Sequence, residues 1–338
     1  MIKDIPTDTH ERLIKFTDDK SGLLGFIAIH NTKLGPATGG TRFKVYQNED
    51  EAIGDALNLS KAMTYKCALA GVPYGGGKAV IMSNGIKSKE LLESYARVVD
   101  SLEGNFTTGK DVGIGDEDIA HMSWVSPYIN GRTGTEDPSI YAALGVFIAM
   151  KAAMEKIYGS EGLKDKTVAI KGLGQVGYEL ARLVSEAGGY LVMSDINEGR
   201  ALEAQKNFGG WLVLPNDINK AKCDIYAPSA LGGEFNMQNV DDLSCKIVCG
   251  SANNQLASRE VGGKLMDKGI FYIPDYVANA GGLIAVVDGL QHKDYDSERI
   301  KSGLTVIGQN VQNILGLSVV QKRPTDRIAD ELAEAIYG

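Results

Sequence analysis

Thr167-Val-Ala-Ile-Lys-Gly-Leu-Gly-Gln-Val-Gly-Tyr-Glu-Leu-Ala-Arg-Leu-Val-Ser-Glu-Ala-Gly-Gly-Tyr-Leu-Val-Met-Ser-Asp195 reads as strand, glycine turn, helix and strand, a βαβ unit. Gly172, Gly174 and Gly177 form a GxGxxG placed directly between strand and helix. These glycines let the backbone turn tightly and approach a pyrophosphate, which rests on the free N–H groups of the helix N-terminus with Gln175 and Val176 beside it. Asp195 closes the second strand about 20 residues on, placed to accept adenosine ribose hydroxyls and to repel a 2′-phosphate, so NAD is expected over NADP.

Working outward, short apolar runs at Cys223 to Ala227, Lys246 to Gly250 and Ile270 to Pro274 continue a parallel sheet. Ile140 to Tyr158 reads as one long apolar helix able to bridge two domains, and the loop-like composition of Pro127 to Pro138 places the boundary near residue 136. Upstream, Leu23 to His30 reads as a buried strand and Leu34 to Gly40 as a turn-rich stretch. Asn48 and Glu51 have the form of a capping box, opening a helix expected to run to about Tyr65. A glycine turn, Gly71 to Gly77, then leads into a strand at Lys78 to Met82. The last helix, from about Thr325, spaces Ile328, Leu332 and Ile336 four apart and is expected to pack one face on the body. The expectation is an α/β chain of two domains, 1–135 with the helix 325–338, and a doubly wound Rossmann domain at 136–324.

With 338 residues there is material for two cores. The net charge of -8 draws the chain to neither nucleic acid nor anionic lipid, and no run approaches the length of a membrane span. The cysteines Cys67, Cys223, Cys245 and Cys249 lack paired CxxC spacing, so buried thiols in a reducing, cytoplasmic setting are expected, with no metal site. The sequon at Asn105 carries no weight in such a setting.

Lys66, in Met63-Thr-Tyr-Lys66, and Lys78, in Gly75-Gly-Gly-Lys78, carry the chemistry of the first domain. A phosphate-binding P-loop is excluded because Val72 and Ala79 stand where it needs Gly and Ser or Thr. A lysine on a buried strand must be paired or neutralised, and a second ammonium nearby lowers its proton affinity, which makes it a base near neutral pH. Two surface lysines, or structural ion pairs, are the bland alternative. Asp111 follows a strand-like stretch and could face the same site, or serve as a turn residue. Gly250-Ser-Ala-Asn-Asn-Gln255 and Asp275-Tyr-Val-Ala-Asn-Ala-Gly-Gly282 each follow a strand, where open α/β sheets gather ligands, although Asn and Gly also populate ordinary loops.

Gly35-Pro-Ala-Thr-Gly-Gly-Thr41, Met63-Thr-Tyr-Lys66, Gly75-Gly-Gly-Lys78, Lys110-Asp-Val-Gly113, Gly250 to Gln255 and Asn279-Ala-Gly-Gly282 together resemble the Glu/Leu/Phe/Val amino acid dehydrogenase family over nearly the whole chain. The resemblance implies reversible oxidative deamination of an L-amino acid by NAD to a 2-oxo acid and ammonium, in a cleft that closes and excludes water. It implies that Lys66, with Gly39 and Gly40, binds the substrate carboxylate, that Lys78 activates water, and that Asp111 shuttles protons to and from the amino nitrogen. It places Asn254 on the substrate, and Asn253 and Asn279 on the nicotinamide side, with Ile196, Ala227, Pro228 and Ala252 beside the cofactor. A homo-oligomer built on the first domain, a dimer first, also follows from the resemblance.

Positions matching Thr38, Gly109, Leu283 and Val286 line the family's side-chain pocket, and none could pair with a γ-carboxylate, so glutamate is disfavoured. The Gly109 and Leu283 combination is similar to that of phenylalanine- and tryptophan-type members, so an aromatic substrate, phenylalanine first, is expected ahead of leucine or valine. Ala142 and Ile114 stand where the family usually has Thr, so one cofactor hydrogen bond is expected to be missing. A 2-hydroxy acid dehydrogenase would need a cleft histidine, and His10, His30, His121 and His292 all lie outside the glycine-rich segments. A non-catalytic NAD-binding relative would leave Lys66, Lys78 and Asp111 without a purpose.

Overall fold

Alternation along the first strands decides which side chains the first sheet hides on each face. In the computed structural model, which describes residues 1–130, 137–292 and 294–338, these strands are β1 (Ile2–Ile5), β2 (Arg12–Asp18), β3 (Leu23–Asn31), β4 (Ala37–Lys44), β5 (Gly75–Met82) and β6 (Phe106–Gly109). They form one mixed sheet in the order β1-β2-β3-β5-β4-β6, with β4 parallel to both β5 and β6. Ile14, Phe16, Ile27, Ile29 and Ile81 build one core with helices α2 (Lys89–Asp100) and α3 (Asp116–Met122). Leu13, Phe26, Ala28 and Val80 build the other with Ala52 and Ala56 of α1 (Glu49–Ala70).

Two expectations are corrected here. The stretches at Leu34 to Gly40 and Gly71 to Gly77 are only partly turn, because Ala37 to Gly40 and Gly75 to Gly77 lie inside β4 and β5. The glycines allow these strands to approach one another: a Cβ on Gly39 would stand 1.8 Å from the Gly77 carbonyl oxygen. The helix expected to end at Tyr65 continues to Ala70, where Gly71 takes the left-handed C-cap at φ 67°. Its start is as expected, with the Asn48 side chain accepting the Glu51 N–H, while Glu51 reaches back to the N–H of Gln47.

The second unit begins with α4 (Pro138–Tyr158) and alternates β7 (Thr167–Lys171), α5 (Gln175–Glu186), β8 (Tyr190–Ser194), α6 (Glu198–Phe208) and β9 (Trp211–Leu212). Strands β10 (Ile225–Pro228), β11 (Ile247–Val248) and β12 (Phe271–Tyr272) follow, with α7 (Arg259–Asp267) between the last two. Every ladder is parallel and the order is β9-β8-β7-β10-β11-β12, the doubly wound order in which ligands gather where the chain switches direction, here between β7 and β10. Helices α8 (Asp275–Ala278), α9 (Gly281–Gln291), α10 (Ser297–Gly303), α11 (Thr305–Gln321) and α12 (Thr325–Tyr337) complete the chain.

By packing, one unit comprises Met1–Thr135, Gly289–Tyr295 and Ala333–Gly338, and the other Glu136–Asp288 and Asp296–Leu332. The boundary drawn near residue 136 lies outside the described residues. Helix α4 clusters wholly with the second unit, and α12, expected to join the first, divides at Leu332. Its buried face is Ile328, Ala329 and Ala333, whereas Ile336 is half exposed, because the chain turns its tyrosine inward instead. Tyr337 stacks on Tyr65 at 5.9 Å between centroids and meets His30 edge-on. Cys67 and Cys249 are buried as expected, while Cys223 and Cys245 are only half-buried.

His30, bonded through Nδ1 to Thr64 Oγ1 at 2.8 Å, is pushed down to about 4 by burial and by the neighbouring His10. A histidine held neutral in the fold contributes stability that is full above about 6.5, and that is lost as pH falls toward 4. His30→Gln is therefore expected to lose about 2–4 °C less in melting temperature than the parent between pH 6.5 and 4.5. Parallel melting curves for the two proteins across that range would remove His30 as the cause.

Candidate active site

On β5 the alternation that sends Ala79 and Ile81 to one core puts Lys78 beside Val80, on the face covered by α1. An ammonium there has lost its water and needs a carboxylate. Asp111, just beyond β6, supplies it at 3.1 Å from Lys78 Nζ. Arg42, one step along β4 from Thr41, binds the other Asp111 oxygen through Nε at 2.8 Å. Its Nη1 reaches both oxygens of Asp55 on α1, at 3.0 and 3.2 Å, and Tyr46 donates its hydroxyl to Asp55 at 2.7 Å. The Lys78 side chain is 7% exposed, and those of Arg42 and Asp111 are 17% exposed.

Burial, followed by the charge on Arg42, pushes the Lys78 ammonium below the usual lysine range, although Asp111 opposes the shift. Burial alone would raise the Asp111 carboxyl, but the cations of Lys78 and Arg42 outweigh it and hold it below the usual carboxylate range. The result is a lysine able to part with its proton beside a carboxylate that rests ionised. Such a pair can take a proton from water and pass one to a nitrogen.

Register brings further expected residues to the same strands. β4 and β6 pair Thr38 with Thr107 and Gly40 with Gly109, and Thr38 accepts the Thr107 hydroxyl at 3.0 Å. Lys66 is half-buried near the end of α1. Leu283 and Val286 are half-buried on α9, in the second unit.

In the second unit the fingerprint has the geometry its sequence implies. Gly172 sits at φ 96°, and a Cβ on Gly177 would stand 1.9 Å from the Gly172 oxygen, so helix and strand meet only through glycine. Gly174 caps α5 without a side chain, and a Cβ there would meet nothing within 4 Å, which leaves the helix N-terminal N–H groups open to an anion. Gln175, at the start of that helix, donates its side-chain amide to Asp137 at 3.1 Å, and Val176 is half-buried. Asp195 braces the loop, accepting from Leu173 N at 2.6 Å and Asn197 N at 2.7 Å, and the remaining lone pairs of its carboxylate suit ribose hydroxyls. Ile196 beside it is 93% exposed, an apolar face of the kind an adenine ring covers. Ala227 and Pro228 end β10 at the switch point, and Ala252 is buried after β11.

Asn253, Asn254 and Asn279 also come together. Asn279 donates to Asn253 Oδ1 at 2.8 Å and to the Ser251 carbonyl at 3.1 Å, while its own Oδ1 is buried with no partner among the described residues. That orphan acceptor fits the amide of a carboxamide, and together with the open helix end it matches a nicotinamide dinucleotide. Asn254 is held at φ 52° by its N–H bond to Asp275 Oδ2, 2.7 Å.

Sequence reading missed Arg42, Asp55, Tyr46 and the bracing role of Asp275. It also missed Glu234, which binds Lys171 at 2.9 Å and Tyr226 at 2.7 Å and so ties the loop after β10 to the end of β7. The available signal was acidic residues within apolar rhythm, Asp55 between Ile53 and Ala56 above all.

A doubly wound sheet with this fingerprint, in a chain whose other unit buries a lysine–carboxylate pair, defines a nucleotide-dependent oxidoreductase. The chain belongs to the Glu/Leu/Phe/Val dehydrogenase family: the dimerisation-domain model matches residues 10–126 and the Glutamate/Leucine/Phenylalanine/Valine dehydrogenase model residues 196–315. It is 41% identical to leucine dehydrogenase of Bacillus subtilis (strain 168), with 96% of this chain and 90% of that one covered. It is 44% identical to phenylalanine dehydrogenase of Lysinibacillus sphaericus, with 83% and 77% covered. The crystal structure of L-tryptophan dehydrogenase from Nostoc punctiforme superposes with a TM-score of 0.85 at 40% identity, covering 97% of this chain and 96% of that one. The protein is an amino acid dehydrogenase of an NAD(P)-dependent family. No helix among the described residues is long and apolar enough to cross a membrane.

Proposed function

We propose that this chain oxidatively deaminates an apolar L-amino acid, an aromatic one first and phenylalanine ahead of others, to its 2-oxo acid and ammonium with NAD. The observation that carries the chemistry is the buried Lys78 ammonium paired with Asp111 at 3.1 Å. Bound NAD would supply the hydride acceptor, held by Gly172 to Gly177 through its pyrophosphate, by Asp195 through its ribose and by Asn279 through its carboxamide. Lys66 fixes the substrate carboxylate as a point charge beside the Gly39 and Gly40 backbone. Asp111 takes a proton from the substrate ammonium before the Cα–H bond breaks. Neutral Lys78 then takes a proton from water as its oxygen bonds to the iminium carbon; Asp111 returns its proton to the nitrogen, and as the C–N bond breaks the hydroxyl proton passes to the departing ammonia, leaving the carbonyl and ammonium with the water proton on Lys78. The balance is amino acid, NAD⁺ and water to 2-oxo acid, ammonium, NADH and a proton. Asp195 argues for NAD because its carboxylate repels a 2′-phosphate.

Gly109 and Leu283 support the aromatic side chain, together with the likeness to phenylalanine and tryptophan dehydrogenases. A Cβ on Gly109 would meet the Asn130 carbonyl at 3.3 Å, so this glycine also has a local packing reason. A second reading, a leucine or valine dehydrogenase, is favoured by the leucine dehydrogenase likeness, which covers more of both chains than the phenylalanine dehydrogenase likeness does. The first family model supports a homo-oligomer, a dimer first, built on the first unit.

NADH formation across Phe, Tyr, Trp, Leu, Val, Ile and Glu, with NAD and with NADP, separates these readings. Phenylalanine is expected to lead with NAD, glutamate to be at least about a hundredfold poorer, and NADP to be poor. Comparable or faster turnover of leucine or valine moves the substrate to the aliphatic reading and keeps the chemistry. NADH binding without turnover of any amino acid would sink the catalytic reading.

A further inference from the structure

We propose that Arg42 is a positioning residue for this reaction, holding Asp111 in place as a permanently charged anchor that is itself fixed by Asp55 and Tyr46. The inference rests on Lys78 as base and Asp111 as proton carrier.

The two Asp111 oxygens are divided between two cations. Oδ1 faces Lys78 Nζ at 3.1 Å and Oδ2 accepts from Arg42 Nε at 2.8 Å. Lys78 must lose its proton to work, and at that moment a buried carboxylate paired to it alone would be stranded. Arg42 keeps its charge throughout, so Asp111 stays oriented, and returns to its ionised form once it has passed on its proton, while Lys78 cycles. The planar guanidinium is needed because it spans two carboxylates, using Nε for Asp111 and Nη1 for both oxygens of Asp55. Lysine offers one point charge and cannot do this. Tyr46, 7% exposed, fixes Asp55 from behind with its hydroxyl.

The charges acting on Lys78 come from every packed element: Arg42 from β4, Asp111 from the segment after β6, and Asp55 from α1 with Tyr46 behind it. Arg42 disfavours the Lys78 proton and Asp55 favours it. Removing one or the other must therefore move the site in opposite directions. A merely structural salt bridge would move the acid limb of the pH profile too, but it would not lower kcat at an unchanged KM.

The test uses Arg42→Gln, Arg42→Lys and Asp55→Asn beside Lys78→Ala, read by pH profiles of kcat/KM, by kcat and KM, and by NADH titration as a control on the second unit. Arg42→Gln is expected to lower kcat about a hundredfold with KM within about threefold. Its acid limb should move up by at least about half a pH unit, while that of Asp55→Asn moves down. Arg42→Lys should restore charge but only part of kcat. A folded Arg42→Gln with kcat within threefold and an unmoved limb, beside an inactive Lys78→Ala, overturns this inference alone. An active Lys78→Ala overturns the reading beneath it as well. Should Arg42→Gln fail to fold, Arg42→Lys decides: kcat lowered at least about tenfold with KM within about threefold supports the anchor, and kcat within threefold of the parent overturns it.

Discussion

Lys78→Ala loses on the order of 10³-fold in kcat while NADH binding stays within twofold of the parent. The size follows from what the side chain supplies. On the proposed reading it is the base, its proton affinity lowered first by burial, and its ion-pair partner among the described residues is the Asp111 carboxylate. The fold should survive the change, since Arg42 remains within 2.8 Å of Asp111 and no anion is left unpaired. In the parent, kcat/KM is expected to rise with pH as Lys78 loses its proton, and the variant should lose that limb. Single-turnover rates with saturating amino acid and NAD measure it directly. A variant within tenfold of the parent, with its pH limb intact, would place the base elsewhere.

Gly177→Ala abolishes dinucleotide binding and destabilises the second unit by about 3 kcal/mol. The added Cβ would stand 1.9 Å from the Gly172 oxygen, against backbone that cannot swing aside as a flexible side chain can. Helix α5 must then move off β7, taking its N-terminus away from the switch point. Gly174→Ala provides the contrast. A Cβ there meets no described protein atom within 4 Å and φ is -68°, so the fold should be undisturbed, yet the methyl would stand in the path proposed for a pyrophosphate. NADH affinity should fall at least about tenfold with melting unchanged. Urea unfolding and NADH fluorescence titration of both variants check the pair. A Gly174→Ala protein that binds NADH like the parent would remove the pyrophosphate from this loop.

What could be read beforehand depended on whether the determinant was local. The fingerprint was legible because a tight turn, a close helix–strand contact and a terminal acid each need a particular residue at a fixed offset along one βαβ unit. Gly75 to Gly77 misled for the opposite reason. Glycine looks like a turn in sequence, and only the approach of β4 to β5 shows that it permits two strands to touch. Arg42 had no local signature, since its partners lie 13 and 69 residues away.

Periodicity, glycine spacing and the cost of burying a charge act over a few residues, and from them followed two α/β domains, the parallel sheet with its glycine loop, and a lysine that had to be neutralised. Only contacts through space pair Asp111 with Lys78, set Arg42 and Asp55 behind it, and leave the Asn279 acceptor without a partner among the described residues. Those are meetings of β4, β5 and α1 with the segment after β6, and of the loops after β11 and β12. Charge fields and hydrogen bonds depend on distance through space, which distance along the chain does not encode.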